Sequence, residues 1–224
     1  MAGTGWGVAA SAILDVDGTL VDSNYQHALA WYRAFRSVDV TVPIWRIHRH
    51  IGIGGDRLVA AVTDDRVEER LGDRIRAAES RRFDELIGEV RPFEGARELI
   101  ADLRGQGRRV VLASSGDEDD VTTLVKLLDA EAEIDAYTTS ADVDSSKPAP
   151  DLIEVAMRRA GGGSGLMFGD STWDVAAAER AGIRCVAVLT GGFSEAELTE
   201  AGAACVFESL AELRSRLDAL PWPD

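Results

Sequence analysis

The stretch VAASAILDVDGT, residues 8–19, decides the fold class. A mostly apolar run from Val8 to Leu14 stops at an acidic, glycine-containing turn, Asp15-Val16-Asp17-Gly18. This pattern predicts a buried strand that runs into a loop. Two carboxylates two positions apart at a strand end can divide the work of catalysis, because one can attack phosphorus while the other passes protons. The alternative is an acidic surface turn, since Asp-Gly turns are common.

Strand-like and helix-like patterns alternate after Pro92. Ala96, Leu99, Ile100 and Leu103 follow the i, i+3, i+4, i+7 spacing of a helix that buries one face. Further apolar runs predict strands near residues 109–113, 136–139, 166–168, 183–189 and 203–207. Such alternation predicts an α/β fold with parallel strands covered by helices on both faces. Ligands of such sheets bind beyond the carboxyl ends of the strands.

Residues 23–91 differ from the rest of the chain in composition and in the spacing of their apolar residues. This segment is rich in Arg, Glu and Asp, and its apolar residues recur at helical spacing. It interrupts the alternation directly after the first strand. The sequence therefore predicts an α/β core formed by residues 1–22 and 92–224, with a small helical domain, residues 23–91, inserted over one edge of the sheet.

The charge of the chain restricts its partners. The formal net charge is −15, and the isoelectric point is about 4.6. Such a surface repels nucleic acid and anionic membranes. No stretch reaches the length of a membrane span, and no secretory signal is evident at the N-terminus. We therefore expect no nucleic-acid or membrane partner and, by default, a cytoplasmic protein.

Three later segments carry groups suited to phosphate and metal chemistry. Ser114-Ser115-Gly116 ends the second predicted strand, where hydroxyl and backbone N–H groups suit a phosphate oxygen. Lys147, one of only two lysines, stands in a loop with two prolines, although it could be a solvated loop charge. Asp170 and Asp174 follow a third strand and offer hard oxygen ligands suited to Mg²⁺. Asp170 or Ser171 could instead cap the next helix, a role compatible with metal binding.

These segments together resemble the four motifs of the haloacid dehalogenase superfamily. The order is Asp15-x-Asp17-Gly18-Thr19, Ser114, Lys147-Pro148 and Gly169-Asp170-x-x-x-Asp174. The resemblance covers the whole chain. It is nearest to the phosphoglycolate phosphatases and β-phosphoglucomutases, whose helical cap follows the first motif. It implies a Rossmann-like parallel core with an inserted α-helical cap domain.

The resemblance implies a role for each motif residue in catalysis. Asp15 matches the nucleophile, and Asp17 matches the general acid and base that protonates the leaving oxygen and then activates water. Ser114 and Lys147 match the groups that hold the transferring phosphoryl. Since the nucleophile and the transferring group are both anionic, positive charge from Mg²⁺ and Lys147 must screen them from each other.

The resemblance also implies a magnesium site and a substrate pocket. The Mg²⁺ ligands are the carboxylate of Asp15, the backbone carbonyl of Asp17, and Asp170, with Asp174 as a further acidic support. The residues expected to contact substrate are Thr19, Ser115, His27, Arg49, His50, Gly54 and Gly55. For His27, packing beside the hinge of the cap is the alternative.

The sequence favours hydrolysis over the other reactions of these relatives. Haloacid dehalogenases lack the second aspartate of the first motif, whereas Asp17 is present here. Phosphonate-cleaving relatives need a cap lysine, and residues 23–91 contain none. β-Phosphoglucomutases carry an arginine where this chain has Gly55. We therefore predict a Mg²⁺-dependent phosphatase that hydrolyses a phosphoglycolate-like or sugar-phosphate-like metabolite through an aspartyl-phosphate.

Two alternatives remain open. A sugar-phosphate mutase of the β-phosphoglucomutase type would use Arg49 or Arg57 to grip a second phosphate. A catalytically idle binding module on the same fold would not need to keep both Asp15 and Asp17. The expected partner is a small phosphorylated metabolite, and the expected assembly is a monomer or a homodimer.

Overall fold

A six-stranded parallel sheet forms the centre of the computed structural model, which describes residues 10–223. The strands in this range are β1 Ser11–Leu14, β2 Val21–Asp22, β3 Arg91–Pro92, β4 Val110–Ala113, β5 Ala136–Thr138, β6 Gly165–Gly169, β7 Arg184–Val188 and β8 Cys205–Phe207. The order in the sheet is β5-β4-β1-β6-β7-β8, so β1 lies between β4 and β6. The predicted α/β fold class is confirmed. Of the first predicted strand, Val8 and Ala9 lie outside the described residues.

The helices of the described chain fall into two groups. They are α1 Asn24–Arg36, α2 Ile44–His48, α3 Gly55–Val62, α4 Asp65–Asp84, α5 Ala96–Gly105, α6 Glu118–Leu128, α7 Asp151–Arg159, α8 Thr172–Arg180, α9 Glu195–Glu200 and α10 Leu210–Ser215. Helices α1 to α4 follow one another without a sheet strand between them, and α5 to α10 alternate with the strands.

Successive side chains of each central strand point to opposite faces of the sheet. In β1, Ala12 and Leu14 join one hydrophobic cluster, and Ile13 joins another. In β4, Leu112 belongs to the first cluster and Val111 to the second. All five side chains are fully buried. Helices therefore cover both faces, which explains why these strands are continuous apolar runs in the sequence.

Helices α1 to α4 have a hydrophobic cluster of their own. Its buried members include Trp31, Phe35, Leu58 and Ile75. Strands β2 and β3 pair antiparallel, with Val21 opposite Pro92, and so bring the two ends of this helical segment together. The division into a core of residues 1–22 and 92–224 and a helical domain of residues 23–91 stays a prediction.

Trp173, in the first turn of α8, connects the helical segment to the core. Its ring packs against a core cluster and against the cluster of α1 to α4. Its indole Nε1 donates to the backbone carbonyl of Arg49 at 3.3 Å. Because α8 follows β6, this contact places the helical segment at the carboxyl end of the sheet.

Strand ends differ from the sequence prediction by one or two residues. Thr139, predicted as strand, instead caps a 3₁₀ turn, Ser140–Asp142, because its backbone N–H donates to the carboxylate of Asp142 at 2.9 Å. The last strand begins at Cys205, two residues later than predicted. Within residues 10–223, no helix has both the length and the apolar character needed to cross a membrane.

Candidate active site

Asp15 directly follows β1, at the carboxyl end of a central strand. Its backbone N–H donates to the carbonyl of Phe168 at 2.9 Å, which continues the pairing of β1 with β6. Its carboxylate is buried and forms an ion pair with the ammonium of Lys147. Lys147 is fully buried too, and its Nζ lies 2.8 Å from Asp174 Oδ1. The structure thus brings residues of three separate sequence motifs into contact.

Asp170, the residue after β6, completes this group. The hydroxyl of Thr19 lies 3.1 Å from Asp15 Oδ2 and 2.9 Å from Asp170 Oδ1. Asn24 Nδ2 donates to Asp170 Oδ2 at 3.0 Å. Gly18 has a φ of +78°, and a Cβ there would lie 2.2 Å from Asn24 Nδ2 and 2.5 Å from Asp170 Oδ2, so this position requires glycine. Thr19, predicted to contact substrate, aligns two carboxylates in this structure.

Asp15, Asp170 and Asp174 offer a set of carboxylate oxygens that fits a metal ion. One oxygen of each lies within 4.8 Å of the others. Burial, followed by repulsion from the other two carboxylates, raises the pKa of Asp170 well above its ordinary value. Burial raises the pKa of Asp15 to about 7, although Lys147 opposes the rise. Buried negative charge of this kind favours a bound cation, and carboxylate oxygens are the ligands that Mg²⁺ prefers.

Asp17 lies beside this group with partners of its own. Its Oδ1 accepts from Ser23 Oγ at 2.5 Å and lies 3.3 Å from His27 Nε2. His27 Nδ1 in turn lies 3.2 Å from Glu79 Oε1, and the His27 ring stacks on Phe83 with 3.7 Å between the ring centroids. The carboxylate of Asp17 is therefore directed towards His27, and it is not part of the set of three carboxylates that could hold a metal ion.

The pKa values of Asp17 and His27 move in opposite directions. Burial alone would raise the pKa of Asp17, but hydrogen bonds with His27 and Ser23 and the charge of His27 hold it below its ordinary value. Burial alone would lower the pKa of His27, but its bonds with Asp17 and Glu79 raise it to about 10. At pH 7 the His27 ring is therefore an imidazolium held between two carboxylates.

Asp174 serves the fold and the site at the same time. Ser171 and Asp174 form a capping box at the start of α8, in which the Ser171 N–H donates to Asp174 Oδ2 at 3.1 Å. The other oxygen of Asp174, Oδ1, is the one that contacts Lys147. Helix capping and a site role are thus compatible, and Ser171 rather than Asp170 is the capping residue.

The two serines after β4 have different surroundings. Ser114 is buried, and its Oγ accepts from the Gly116 N–H at 3.0 Å. Ser115 and Gly116 line a cavity that also includes Asp15. The structure therefore places Ser115 at the cavity wall and Ser114 inside the loop that supports it.

This cavity, of about 510 Å³, lies between the carboxyl end of the sheet and the helical segment. Asp15 and Asp17 line it on the core side, and His27, Gly54 and Gly55 line it on the helical side. Its volume suits a small-molecule ligand. The structure thus places four of the residues predicted to contact substrate at one cavity wall or the other: Ser115, His27, Gly54 and Gly55.

Arg49 and His50, also predicted to contact substrate, do not line this cavity. The guanidinium of Arg49 pairs with the carboxylate of Glu197 and donates to the carbonyl of Gly192 at 3.2 Å. The ring of His50 packs near Trp173, with 5.8 Å between the ring centroids. Arg49 therefore attaches the helical segment to the loop and helix that follow β7.

A loop of the helical segment touches the loop that carries Lys147. The Gly54 N–H donates to Ser146 Oγ at 3.0 Å. The carboxylate of Asp56 accepts from Ser146 Oγ and, at 3.3 Å, from the Ser146 N–H. A Cβ at Gly54 would lie 2.5 Å from Ser146 Cβ, so a larger residue would push the two loops apart.

Several residues that contact this site were not predicted from the sequence. They are Ser23, Asn24, Asp56, Arg76, Glu79 and Ser146. A signal existed for some of them, because Ser23 closely follows the first motif and Ser146 directly precedes Lys147. No such signal marked Glu79 or Arg76, which reach the site because α4 packs against α1 and α3.

Comparisons with known proteins identify the family. The family described as Haloacid dehalogenase-like hydrolase matches residues 12–188. The crystal structure of a hydrolase from Pseudomonas syringae has a TM-score of 0.89 and 32% identity, and the match covers 94% of this chain and 99% of that chain. Validoxylamine A 7'-phosphate phosphatase from Streptomyces hygroscopicus subsp. limoneus is 28% identical over 217 residues, 91% of this chain and 95% of that protein. Pyrophosphatase PpaX from Bacillus velezensis is 28% identical over 186 residues, 79% of this chain and 81% of that protein.

The family match extends from within β1 to the end of β7 and contains all four motifs. The parallel sheet, with Asp15 and Asp170 at the ends of neighbouring strands, is the structural counterpart of those motifs. The resemblance predicted from the sequence is confirmed, and this chain belongs to the haloacid dehalogenase-like hydrolases.

Proposed function

We propose that this protein is a Mg²⁺-dependent phosphatase that hydrolyses a small phosphorylated metabolite through an aspartyl-phosphate on Asp15. The observation that carries the proposal is the pairing of Asp15 with Lys147, with Asp17 beside them and in contact with protonated His27. Two of the relatives support it, because one is named a 7'-phosphate phosphatase and the other a pyrophosphatase.

The first step transfers the phosphoryl group to the protein. The carboxylate of Asp15 attacks phosphorus, the bond between phosphorus and the ester oxygen breaks, and the leaving oxygen takes a proton from Asp17. That proton comes from His27, whose Nε2 lies 3.3 Å from Asp17 Oδ1. Glu79 contacts the other ring nitrogen and so holds the imidazole in one orientation.

The second step returns the protein to its starting state. Water attacks the phosphorus of the aspartyl-phosphate, its proton passes to Asp17 and on to His27, and the bond between phosphorus and Asp15 breaks. Inorganic phosphate leaves, and Asp15 is a carboxylate again. The pair of Asp17 and His27 gives one proton and takes one back in each cycle, so it acts first as a general acid and then as a general base.

The carboxylates that would hold Mg²⁺ are those of Asp15, Asp170 and Asp174, and the family resemblance adds the backbone carbonyl of Asp17. When bound, the ion supplies positive charge that lets an anionic carboxylate approach a phosphate ester. Lys147 supplies a second positive charge. Burial alone would lower the pKa of Lys147, but the neighbouring carboxylates of Asp15 and Asp174 raise it, so the side chain stays protonated.

We also propose that residues 23–91 act as a cap over the cavity. Contacts of Gly54 with Ser146 and of Arg49 with Glu197 hold this segment against the core. A cap in this position limits the access of bulk water and surrounds the leaving group. The leaving group is therefore selected mainly by side chains of the cap that line the cavity.

The contacts of the cap support hydrolysis over the mutase alternative. A Cβ at Gly55 would lie 3.3 Å from ring atoms of Trp31, which leaves little room for a larger side chain at the position where mutases carry arginine. Arg49 pairs with Glu197 away from the cavity, and Arg57 does not line it. A second phosphate would lack a dedicated cationic partner there, so water completes the cycle.

A screen of phosphorylated metabolites for release of inorganic phosphate tests the proposal. It is run with Mg²⁺, with excess chelator, and with Mg²⁺ restored. We expect turnover of at least one ester with Mg²⁺, loss of turnover in chelator, and recovery when the metal is restored. Full turnover in excess chelator would refute the metal requirement, and no phosphate release from any ester would refute the phosphatase.

A further inference from the structure

The cavity beside Asp15 has two basic side chains in its described lining, His27 and Arg76. A basic side chain in such a place ordinarily binds a second anionic group of the substrate. Here both are already matched by carboxylates of the protein. His27 lies between two of them, Asp17 and Glu79.

Arg76 is matched by carboxylates on its own helix, α4. Its Nη1 lies 2.9 Å from Glu68 Oε1, and its Nη2 lies 2.8 Å from Asp73 Oδ1. Its Nη1 also donates to the carbonyl of Gly55 at 3.1 Å. The side chain of Glu68 is 26% exposed and that of Asp73 is fully exposed, so water screens the charge of Glu68 less. Glu68 is therefore the stronger partner of Arg76.

Gly72 makes room for this ion pair. It lies one turn from Glu68 and one turn from Arg76, on the same face of α4. A Cβ at this position would lie 2.5 Å from Glu68 Oε1 and 2.8 Å from Arg76 Nη2. Glycine in the interior of a helix lowers helix stability. A Cβ at this position would displace the ends of both side chains, so glycine leaves the Glu68–Arg76 pair its space.

The core side of the cavity adds carboxylates without matching positive charge. Asp117, Asp120 and Asp144 line it. Among residues 10–223, no basic side chain lies within 4.0 Å of these three carboxylates. Burial raises the pKa of Asp120 to about 7, with repulsion from Asp117 adding to the rise and the charge of His27 opposing it, so this carboxylate is fully charged only above that pH. A second anionic group on the leaving group would therefore be repelled by carboxylates that have no basic side chain beside them.

We infer that this cavity selects phosphate esters whose leaving group carries no second anionic group. Such leaving groups are sugars or polyols, which carry further hydroxyl groups. The cavity discriminates against leaving groups with a carboxylate or a second phosphate. Arg76 is the specificity-determining residue, and Glu68 is the positioning residue that keeps its charge matched. The inference rests on the proposed phosphatase function and narrows its substrate class. Hydroxyl groups suit this lining, because carboxylates accept their hydrogen bonds.

Two esters with the same carbon skeleton test the inference. Glycerol 3-phosphate has a hydroxymethyl group at the carbon where 3-phosphoglycerate has a carboxylate. Each is measured as a competitor of p-nitrophenyl phosphate hydrolysis with Mg²⁺, so that an inhibition constant is obtained whether or not the ester is itself hydrolysed. We expect the inhibition constant of 3-phosphoglycerate to be at least about tenfold higher in the wild-type protein, because its carboxylate meets unmatched negative charge. Equal constants, the reverse order, or no inhibition by either ester would overturn the inference.

Glu68→Gln tests the part played by the ion pair. It frees the charge of Arg76 without changing the size of the neighbouring side chain, so the ratio of the two inhibition constants should fall by about three- to tenfold. Glu85→Gln is the matched control. It removes a carboxylate from the exposed pair with Arg82 just beyond the end of α4, and the ratio should stay as in the wild type. An unchanged ratio in Glu68→Gln would overturn the role of the pair.

The two proposals fail in different ways. A ratio of inhibition constants does not depend on the fraction of protein that is folded, so a loss of stability in Glu68→Gln leaves the readout intact. Absence of Mg²⁺-dependent hydrolysis of p-nitrophenyl phosphate would refute the phosphatase and the inference together. An active enzyme that binds the carboxylate-bearing ester as well as the alcohol would refute the inference alone.

Discussion

The charged side chains around Asp15 on the core side of the site are buried, whereas the charged side chains with which the helical segment lines the cavity are partly exposed. On the core side, Asp15 lines the cavity and pairs with Lys147, which pairs in turn with Asp174, and all three side chains are buried. On the helical wall, Gly54 offers only backbone, and the side chain of Arg76 is 29% exposed. We infer that phosphoryl transfer depends on the sheet, while the leaving group is chosen by a wall that can vary without disturbing the sheet.

The largest effect should come from the core wall, on removal of the nucleophile. Asp15→Asn keeps the size of the side chain, but an amide does not attack phosphorus. We expect kcat to fall by about 10⁴-fold or more. Asp22→Asn, an exposed carboxylate on β2, is the control and should leave phosphate release unchanged. Turnover of Asp15→Asn at the wild-type rate would contradict the assignment of Asp15 as the nucleophile.

A smaller effect should follow when the two walls are pushed apart. Gly54→Ala places a methyl group 2.5 Å from Ser146 Cβ, next to Lys147, although the φ of Gly54, −70°, suits alanine. We expect kcat/KM to fall by about 10- to 100-fold, since a displacement of about 1 Å near reacting groups has effects of this size. Gly88→Ala is the control, because a Cβ there meets nothing within 4 Å. Equal activity of both variants would show that contact between the walls is dispensable.

The smallest effect concerns the residue that joins the helical wall to Asp17. Without the carboxylate of Glu79, the pKa of His27 should fall from about 10 towards its ordinary value, because Glu79 raises it. The mechanism needs protonated His27, so Glu79→Gln should move the alkaline limb of the kcat profile to lower pH. We expect about a tenfold loss at pH 9 and little change at pH 6, since one pKa unit corresponds to a factor of ten.

Glu79→Asp and Glu85→Gln are the controls for this profile. A shorter carboxylate at position 79 should restore part of the shift, and the exposed Glu85 should have no influence. A residue that only supports the fold would lower activity equally at all pH values. A uniform loss in Glu79→Gln would therefore contradict the proposed link from Glu79 through His27 to Asp17.

The difference between the walls also explains how much could be predicted from the sequence. Asp15 and Asp170 each follow an apolar run, and parallel topology brings such strand ends to one edge of the sheet. The sequence could therefore predict the α/β fold and the grouping of these residues. Lys147 stood out because the chain has so few lysines, and the structure places it against Asp15.

Residues positioned by the packing of helices could not be predicted in the same way. Glu79 contacts His27 because α4 lies along α1, and the charges along α4 do not distinguish Glu79 from its solvent-exposed neighbours. Arg49 was predicted to contact substrate because it lies among basic residues in the sequence, but in the structure it contacts the core instead. Its partner, Glu197, lies far away in the sequence, so the pairing becomes visible only in the folded chain.

The most direct measurement concerns the phosphoryl group on Asp15. Asp17→Asn is mixed with Mg²⁺ and p-nitrophenyl phosphate, quenched in acid, digested and analysed by mass spectrometry. The good leaving group needs little protonation in the first step, whereas loss of the general base slows the second step by about 10²- to 10⁴-fold. We expect one phosphoryl group on the peptide that contains Asp15, and none when Asp15→Asn is treated identically. Phosphate release without any phosphorylated peptide, or a phosphoryl group on a different peptide, would contradict the proposed mechanism.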